Sequence, residues 1–248
     1  MKQLFIASIC FVIMMGVTRA QDFITRGKIE YEIKKNTKKL FSDRQPGMEN
    51  YLDAIPEFDI NYRELVFSGN QLLYSPARKG SIMGLGNENS VYTNLDARNT
   101  ISKQVYLNED YIIEDSVRPI KWKVENEIRK IAGFECRKAV GRFHDSIYVV
   151  AFYCPEIIPQ GGPEFFAGLP GMILGLAIPR LYTTWFATRI ELTSIDEAKI
   201  TPPIVKKGGQ TYKKKELSDI LYKKYKDLGW LGDFTPEKMF NTLDAYTF

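Results

Sequence analysis

The chain has few of the residues from which catalytic and metal sites are usually built. It contains one histidine, His144, and three cysteines in 248 residues. One imidazole leaves no Cys/His set of the kind a zinc site needs. A Ser-His-Asp constellation would have to be assembled on His144, which lies in the polar turn His144-Asp145-Ser146. Gly-x-Ser-x-Gly is missing. No glycine-rich phosphate loop opens a helix, and Gly84-Leu85-Gly86 lacks the strand-to-helix setting. Adjacent carboxylates occur at Glu109-Asp110 and Glu114-Asp115, in strand-end contexts. A carboxylate hydrolase would need the fold to bring two such groups together. No cofactor and no metal is expected.

Charge of one sign is also lacking. Lysine and arginine number 34 against 30 acidic residues, and removing Lys2 and Arg19 with a leader leaves 32 against 30. That near-balance excludes a basic nucleic-acid footprint. Long apolar runs are confined to the N-terminus. Lys2, the apolar stretch Leu4–Val17 and Thr18-Arg19-Ala20 before Gln21 have the layout of a secretory signal peptide over residues 1–20. Cys10 sits inside that stretch with too little apolar sequence before it for a lipid anchor. The mature chain is therefore expected from Gln21, exported to the periplasm and soluble there, peripheral to the outer membrane at most.

What is present is a dense β signal. Lys28–Lys34 alternates, with Ile29, Tyr31 and Ile33 on one face. Tyr62–Phe67 and Gln71–Tyr74 flank the turn Ser68-Gly69-Asn70. Further strands are expected at Ser90–Leu95, Lys103–Leu107, Tyr111–Asp115, Trp122–Ile131, Met172–Ile178 and Leu181–Leu192. Strands this closely spaced pair as antiparallel meanders and leave no room for βαβ crossovers. Helices are few. Met48–Ile55 reads as a short turn of helix. Lys213–Leu228 is amphipathic, with Leu217, Ile220, Leu221, Tyr225 and Leu228 on one face and lysines around the rest. A last helix is expected after Thr235 as N-cap, with Pro236 at the first helical position. The predicted class is mainly β: a curved antiparallel sheet or half-barrel over residues 21–200, then a linker and helical tail over 201–248 packed on it. The linker carries Pro202, Pro203, Gly208 and Gly209, and the tail is too small to hold a core of its own.

Two cysteines remain after the leader, Cys136 and Cys154. They lie in Phe134–Phe143 and Ile147–Cys154, two apolar runs separated by the turn at His144. Position 145 is their midpoint, so a hairpin centred there sets them opposite each other, at a Cα separation of about 4.5–5.5 Å that a disulfide accepts. Export makes that bridge the expectation.

One segment breaks the β pattern. Gly162-Pro163-Glu164-Phe165-Phe166-Ala167-Gly168-Leu169-Pro170-Gly171-Met172-Ile173-Leu174 holds three glycines and two prolines among apolar residues, so it specifies a backbone shape of its own. Pro170-Gly171 suits the centre of a type II turn, with positive φ at Gly171. Phe165 and Phe166 should point to opposite sides, one into the core and one outward as a contact residue. Leu169 and Trp185 join them as candidate contacts with a ligand or partner. Gly162, Pro163, Gly168, Pro170 and Gly171 are the structural positions. The cluster Phe165, Phe166, Tyr182, Trp185 and Phe186 suggests an apolar pocket or groove.

Gly168–Ile173 resembles the motif of the GLPGLI family of Gram-negative envelope proteins, with Met172 where that motif has leucine. The resemblance extends to the Trp122–Ala139 region, to Pro155-Glu156-Ile157-Ile158-Pro159 ahead of Gly162-Pro163, and to Gly27–Tyr31. Cys154 departs from the family pattern. The resemblance implies an envelope location and a curved antiparallel sheet, and no catalytic mechanism. The family is similar in turn to a broader set of envelope proteins with curved sheets, some of which carry lipoproteins. The expected function is non-enzymatic: binding a hydrophobic or extended ligand or peptide, or serving an outer-membrane transporter through the sheet or its free edge. A periplasmic hydrolase using carboxylates in the curved sheet and a structural assembly factor are the alternatives.

Overall fold

The computed structural model describes residues 23–44, 49–78, 88–117, 119–143, 147–192, 195–205, 209–230, 232 and 235–245. The expected leader and His144-Asp145-Ser146 lie outside the described residues.

The fold is one open, curved sheet of twelve strands. Six run as a meander: β1 (Arg26–Asn36), β2 (Phe58–Ser68), β3 (Gln71–Arg78), β4 (Ser90–Asn94), β5 (Asn99–Tyr106) and β6 (Glu109–Ser116). Five form a second meander: β7 (Lys123–Ile131), β8 (Phe134–Phe143), β9 (Ile147–Cys154), β10 (Met172–Ile178) and β11 (Thr183–Glu191). The two join where β11 pairs antiparallel with β1, Ile33 opposite Trp185 and Ile29 opposite Ile190. A short twelfth strand, β12 (Thr211–Lys213), adds parallel to β6 and closes that edge; β7 is the other edge. The remaining neighbours in the sheet pair antiparallel.

Alternation decides the faces. Ile29, Tyr31 and Ile33 of β1 are buried on one face, and the register carries that face through Leu65, Tyr74, Val91, Ser102 and Ile113 in one direction and Trp185, Leu176, Ala151 and Ala139 in the other. This is the inner face. Register shifts at Glu30/Tyr31, Tyr62/Arg63, Val124/Ile128 and Ile173/Gly175 bend it. On the opposite face β7 curls back toward β11. A Cβ at Gly175 would lie 2.8 Å from the Phe186 ring and 2.9 Å from Ile131, so that approach requires glycine. Arg129 sits 4.6 Å over the Phe152 ring beside it.

The hairpin register is the one its midpoint implies, Phe143 opposite Ile147 and Arg137 opposite Tyr153. The expected disulfide is corrected: Cys136 and Cys154 are both buried free thiols. Cys136 turns its Sγ–H toward the Phe134 carbonyl at 3.6 Å. The two sulfurs interact: that contact and burial raise the Cys136 pKa, while the contact and the Glu156 and Ile157 amides lower that of Cys154.

Helix α1 (Thr37–Arg44), which the sequence did not announce, follows β1 directly. The side chain of Asn36 caps it by accepting from the Lys39 amide at 2.9 Å. The short helical turn expected over Met48–Ile55 is a 3-10 turn at Glu49–Ala54. Helix α2 (Lys214–Asp227) and helix α3 (Pro236–Ala245) cover the β5–β6 end of the inner face. Leu217 and Leu221 pack with Met239 and Leu243 against Tyr106, Tyr111 and Ile113. Leu228, expected on the apolar face, is exposed because α2 ends at Asp227. Thr235 caps α3, its Oγ1 accepting from the Lys238 amide at 3.2 Å.

Candidate functional site

The connection between β9 and β10, residues 155–171, folds onto the inner face. Loops normally run over the surface, because buried backbone needs partners. This one has them. Ile24 donates to the Glu156 carbonyl and accepts from the Ile158 amide, both at 2.9 Å. Met172 donates to Ile157, Ile173 to Gly161 and Gly168 to Gln160, at 2.8–2.9 Å. The Trp122 indole donates to the Ala167 carbonyl at 3.0 Å. Gly162 and Pro163 are buried within the loop, while Gly168 and Pro170 are exposed at its surface.

The exit of the loop corrects the type II expectation. The Gly171 amide bonds the Leu169 carbonyl at 2.8 Å, two residues back, so the chain turns around Pro170 in a three-residue turn. Gly171 does have positive φ, at 142°. Its missing side chain matters more: a Cβ there would stand 2.2 Å from the Cys154 carbonyl oxygen.

Four expected contact residues separate into two groups. Phe166, Leu169 and Trp185 are core residues, 1%, 1% and 0% exposed, which corrects their assignment as contacts. Phe165 is half-buried. It stacks on Phe166 at 5.1 Å between centroids and packs at a tilt against Phe143 at 5.3 Å.

Glu164, just before them, was not anticipated. It is buried, with φ of 57° in the left-handed region where a non-glycine residue is strained. The Trp185 indole and Tyr74 hydroxyl approach its carboxyl, and Arg63 and Lys35 contribute positive charge. Burial dominates and pushes its pKa up to about 7; those four partners pull the other way without offsetting it. Arg63, an inward charge on a strand that otherwise presents Leu65 and Phe67, donates to the Asn89 carbonyl. It lies 5.8 Å from the centroid of the Tyr74 ring. Tyr74 packs edge-on against Tyr31, whose hydroxyl donates to the Ile173 carbonyl at 2.7 Å. The signal in the sequence was an acid enclosed by proline and two phenylalanines.

Phe165 also forms the inner wall of a cavity of about 40 Å³ between the loop, β4–β6 and the C-terminal helices. Val91, Ile113 and Leu243 line it together with Thr100, Ser102 and Gln104. Those three β5 residues make a buried polar ladder: Gln104 Nε2 donates to Ser102 Oγ at 3.4 Å, and Thr100 Oγ1 to the Asp115 carbonyl at 3.3 Å. Asp115, Ser116 and Lys214 line both this cavity and an open pocket of about 590 Å³ beside it.

The paired carboxylates noted in the sequence do not face each other as a hydrolytic pair. Glu109 accepts from Lys224 Nζ and the Tyr111 hydroxyl, both at 2.6 Å, which holds its pKa below the usual carboxylate value. Glu114 pairs with Lys213 at 2.7 Å and Asp110 with Lys103 at 3.4 Å. Among the described residues no group of three His, Cys, Asp or Glu side chains could hold a metal.

No family model and no curated protein matches the chain. Solved structures do. PNGF-II, in its P21 and C2 crystal forms, superposes with TM-scores of 0.53 and 0.51 at 13% and 14% identity, over 80% of this chain. The matched part is 33% of PNGF-II, so this chain spans about a third of that protein. An uncharacterized conserved protein from Thermus thermophilus matches over 78% of this chain and 93% of its own, at 8% identity and a TM-score of 0.42. For PNGF-II, at 13–14% identity, the likeness is one of fold.

Proposed function

We propose that the protein is an exported accessory protein that binds an extended ligand without transforming it, as the resemblance to GLPGLI envelope proteins suggests. The observation that carries this reading is the continuity of the open pocket with the Phe165 cavity through Asp115, Ser116 and Lys214. Its volume falls within the range of small-molecule sites. Its lining is more polar than a purely hydrophobic ligand would need, which favours an extended one. The β7 edge, where Val124 and Ile128 are exposed, is the place for an extended partner segment such as one from an outer-membrane transporter.

Native mass spectrometry of the protein isolated from its own periplasm tests this. A co-purifying small molecule, lost in Phe165→Ala, supports ligand binding. An apo mass with a stable protein partner supports an assembly role instead.

One observation favours the hydrolase reading. Glu164 is a carboxylic acid that titrates near neutrality, the property of a general acid or base. It lies behind Phe165, away from the cavity lining, so that reading requires the ring to swing aside.

A further inference from the structure

The inner face changes character between β3 and β5. On β1 to β3 its buried residues are mostly apolar, Ile29, Tyr31, Leu65, Phe67, Leu72 and Tyr74, with Asp59 and Arg63 as the charged exceptions on β2. On β5 the corresponding positions are Thr100, Ser102 and Gln104, also buried. A polar group at a core position destabilises unless it is hydrogen-bonded. Here the side chains partly satisfy one another, and the Tyr106 hydroxyl completes the row by donating to Gln104 Oε1. The row nevertheless borders a gap instead of close-packed atoms.

We infer that this pocket takes a neutral, hydroxyl-rich ligand, one residue of a saccharide chain, with its ring in the open mouth and a hydroxymethyl group in the neck beneath α2. The inference rests on the ligand-binding reading above and names the ligand class for the same site.

Three features select that class. First, size: the neck is about 40 Å³, above the roughly 10–15 Å³ of probe volume that one water needs, so it admits a group somewhat larger than a water. The mouth, at about 590 Å³, is far larger. Second, bonding: hydroxyls and a primary amide each donate and accept, so a ligand hydroxyl can meet Thr100, Ser102 or Gln104 in either sense. Third, charge: Lys214 and Asp115 both line the neck. A charged ligand gains from one and loses to the other, whereas a neutral hydroxyl donates to the carboxylate and accepts from the ammonium. Phe240 at the mouth, under Lys214 Nζ at 4.1 Å from its ring centroid, adds an apolar surface for a sugar ring.

The test titrates the mature full-length chain with maltotriose, triacetylchitotriose and decanoate, read by saturation-transfer NMR and calorimetry. Saturable binding of a trisaccharide is expected, weakened at least tenfold in Ser102→Val, which fills the neck and removes a hydroxyl. Phe240→Ala, at the mouth, is the second variant should Ser102→Val misfold, and it should weaken binding as well. Decanoate binding without trisaccharide binding overturns this inference and leaves the ligand-binding reading intact. Binding of none of the three removes both. Trisaccharide binding that neither variant changes places the contact elsewhere and overturns the inference.

Discussion

The two halves of the inner face are built from the same alternating strands and are filled differently. Over β1 to β3 and β9 to β11 the inward residues are mostly apolar, with Asp59, Arg63 and Thr183 as buried polar exceptions, and a single buried loop packs on them with its own hydrogen bonds. Over β4 to β6 the inward residues are largely polar, and two C-terminal helices cover them around a gap. The loop half is specified to the last methyl group: a Cβ at Gly161 would meet Leu72 at 2.4 Å and one at Gly162 would meet Ile173 at 2.7 Å. The helix half keeps unfilled space. Close packing makes a region sensitive to every added or deleted atom, so the loop half should answer to mutation as structure and the helix half as a site.

The sharpest test of that difference is Gly171→Val. Positive φ and the Cys154 carbonyl both oppose a side chain there, and we expect a loss of more than about 4 kcal/mol or failure to fold. A urea denaturation midpoint equal to the parent's would show that the loop is not specified as described.

Next in size is Phe166→Ala. Truncating a fully buried phenylalanine typically destabilises by about 3–5 kcal/mol. Phe165→Ala should lower stability by less than half as much, because that ring already faces a cavity. Equal losses from the two would erase the distinction between core and cavity wall.

Glu164→Gln probes the junction of the halves through pH. The folded protein holds this carboxyl at a pKa of about 7, against an ordinary value of 4.5, so the native state binds the proton more tightly than the unfolded chain. The favourable state is fully present below pH 4.5. Stability is lost as pH rises from 4.5 to about 7 and is level above that. The variant, neutral at all pH, should therefore match the parent at pH 4 and exceed it at pH 8, by about 3 kcal/mol. A parent-to-variant gap that stays constant with pH would mean that the carboxyl is not held protonated.

The smallest expected effect belongs to the helix half. Thr235→Ala removes the α3 cap and should lower stability by about 1 kcal/mol. Hydrogen exchange should then rise in α3 while the amides that hold the loop, Gly168 within it and Ile173 bonded to it, stay protected. Uniform loss of protection would make the two halves a single unit.

Much of the sheet was legible because period-two alternation is a local property. The runs Phe134–Phe143, Ile147–Cys154 and Met172–Ile178 coincide with β8, β9 and β10. The midpoint of two cysteines set the hairpin register. Thr235-Pro236 marked the start of α3, since capping depends only on neighbouring residues. Helix α1 was missed because Thr37–Arg44 carries a weak amphipathic pattern, which reads as a polar extension of the strand before it. The sulfurs were located but their bond was not, because register brings residues opposite while bonding also depends on side-chain geometry and oxidation state.

The sequence by itself determined the class of fold, most strand boundaries, and that residues 162–174 adopt a shape of their own, since alternation, caps and glycine–proline punctuation act over a few residues. Only the tertiary structure decided that β11 joins β1 across about 150 residues, that the glycine-rich loop lies inside, and that Glu164 meets Arg63, Tyr74 and Trp185. Those depend on how a bent sheet meets itself, and burial, which moved the Glu164 pKa, is a property of that closure and not of any neighbouring residue.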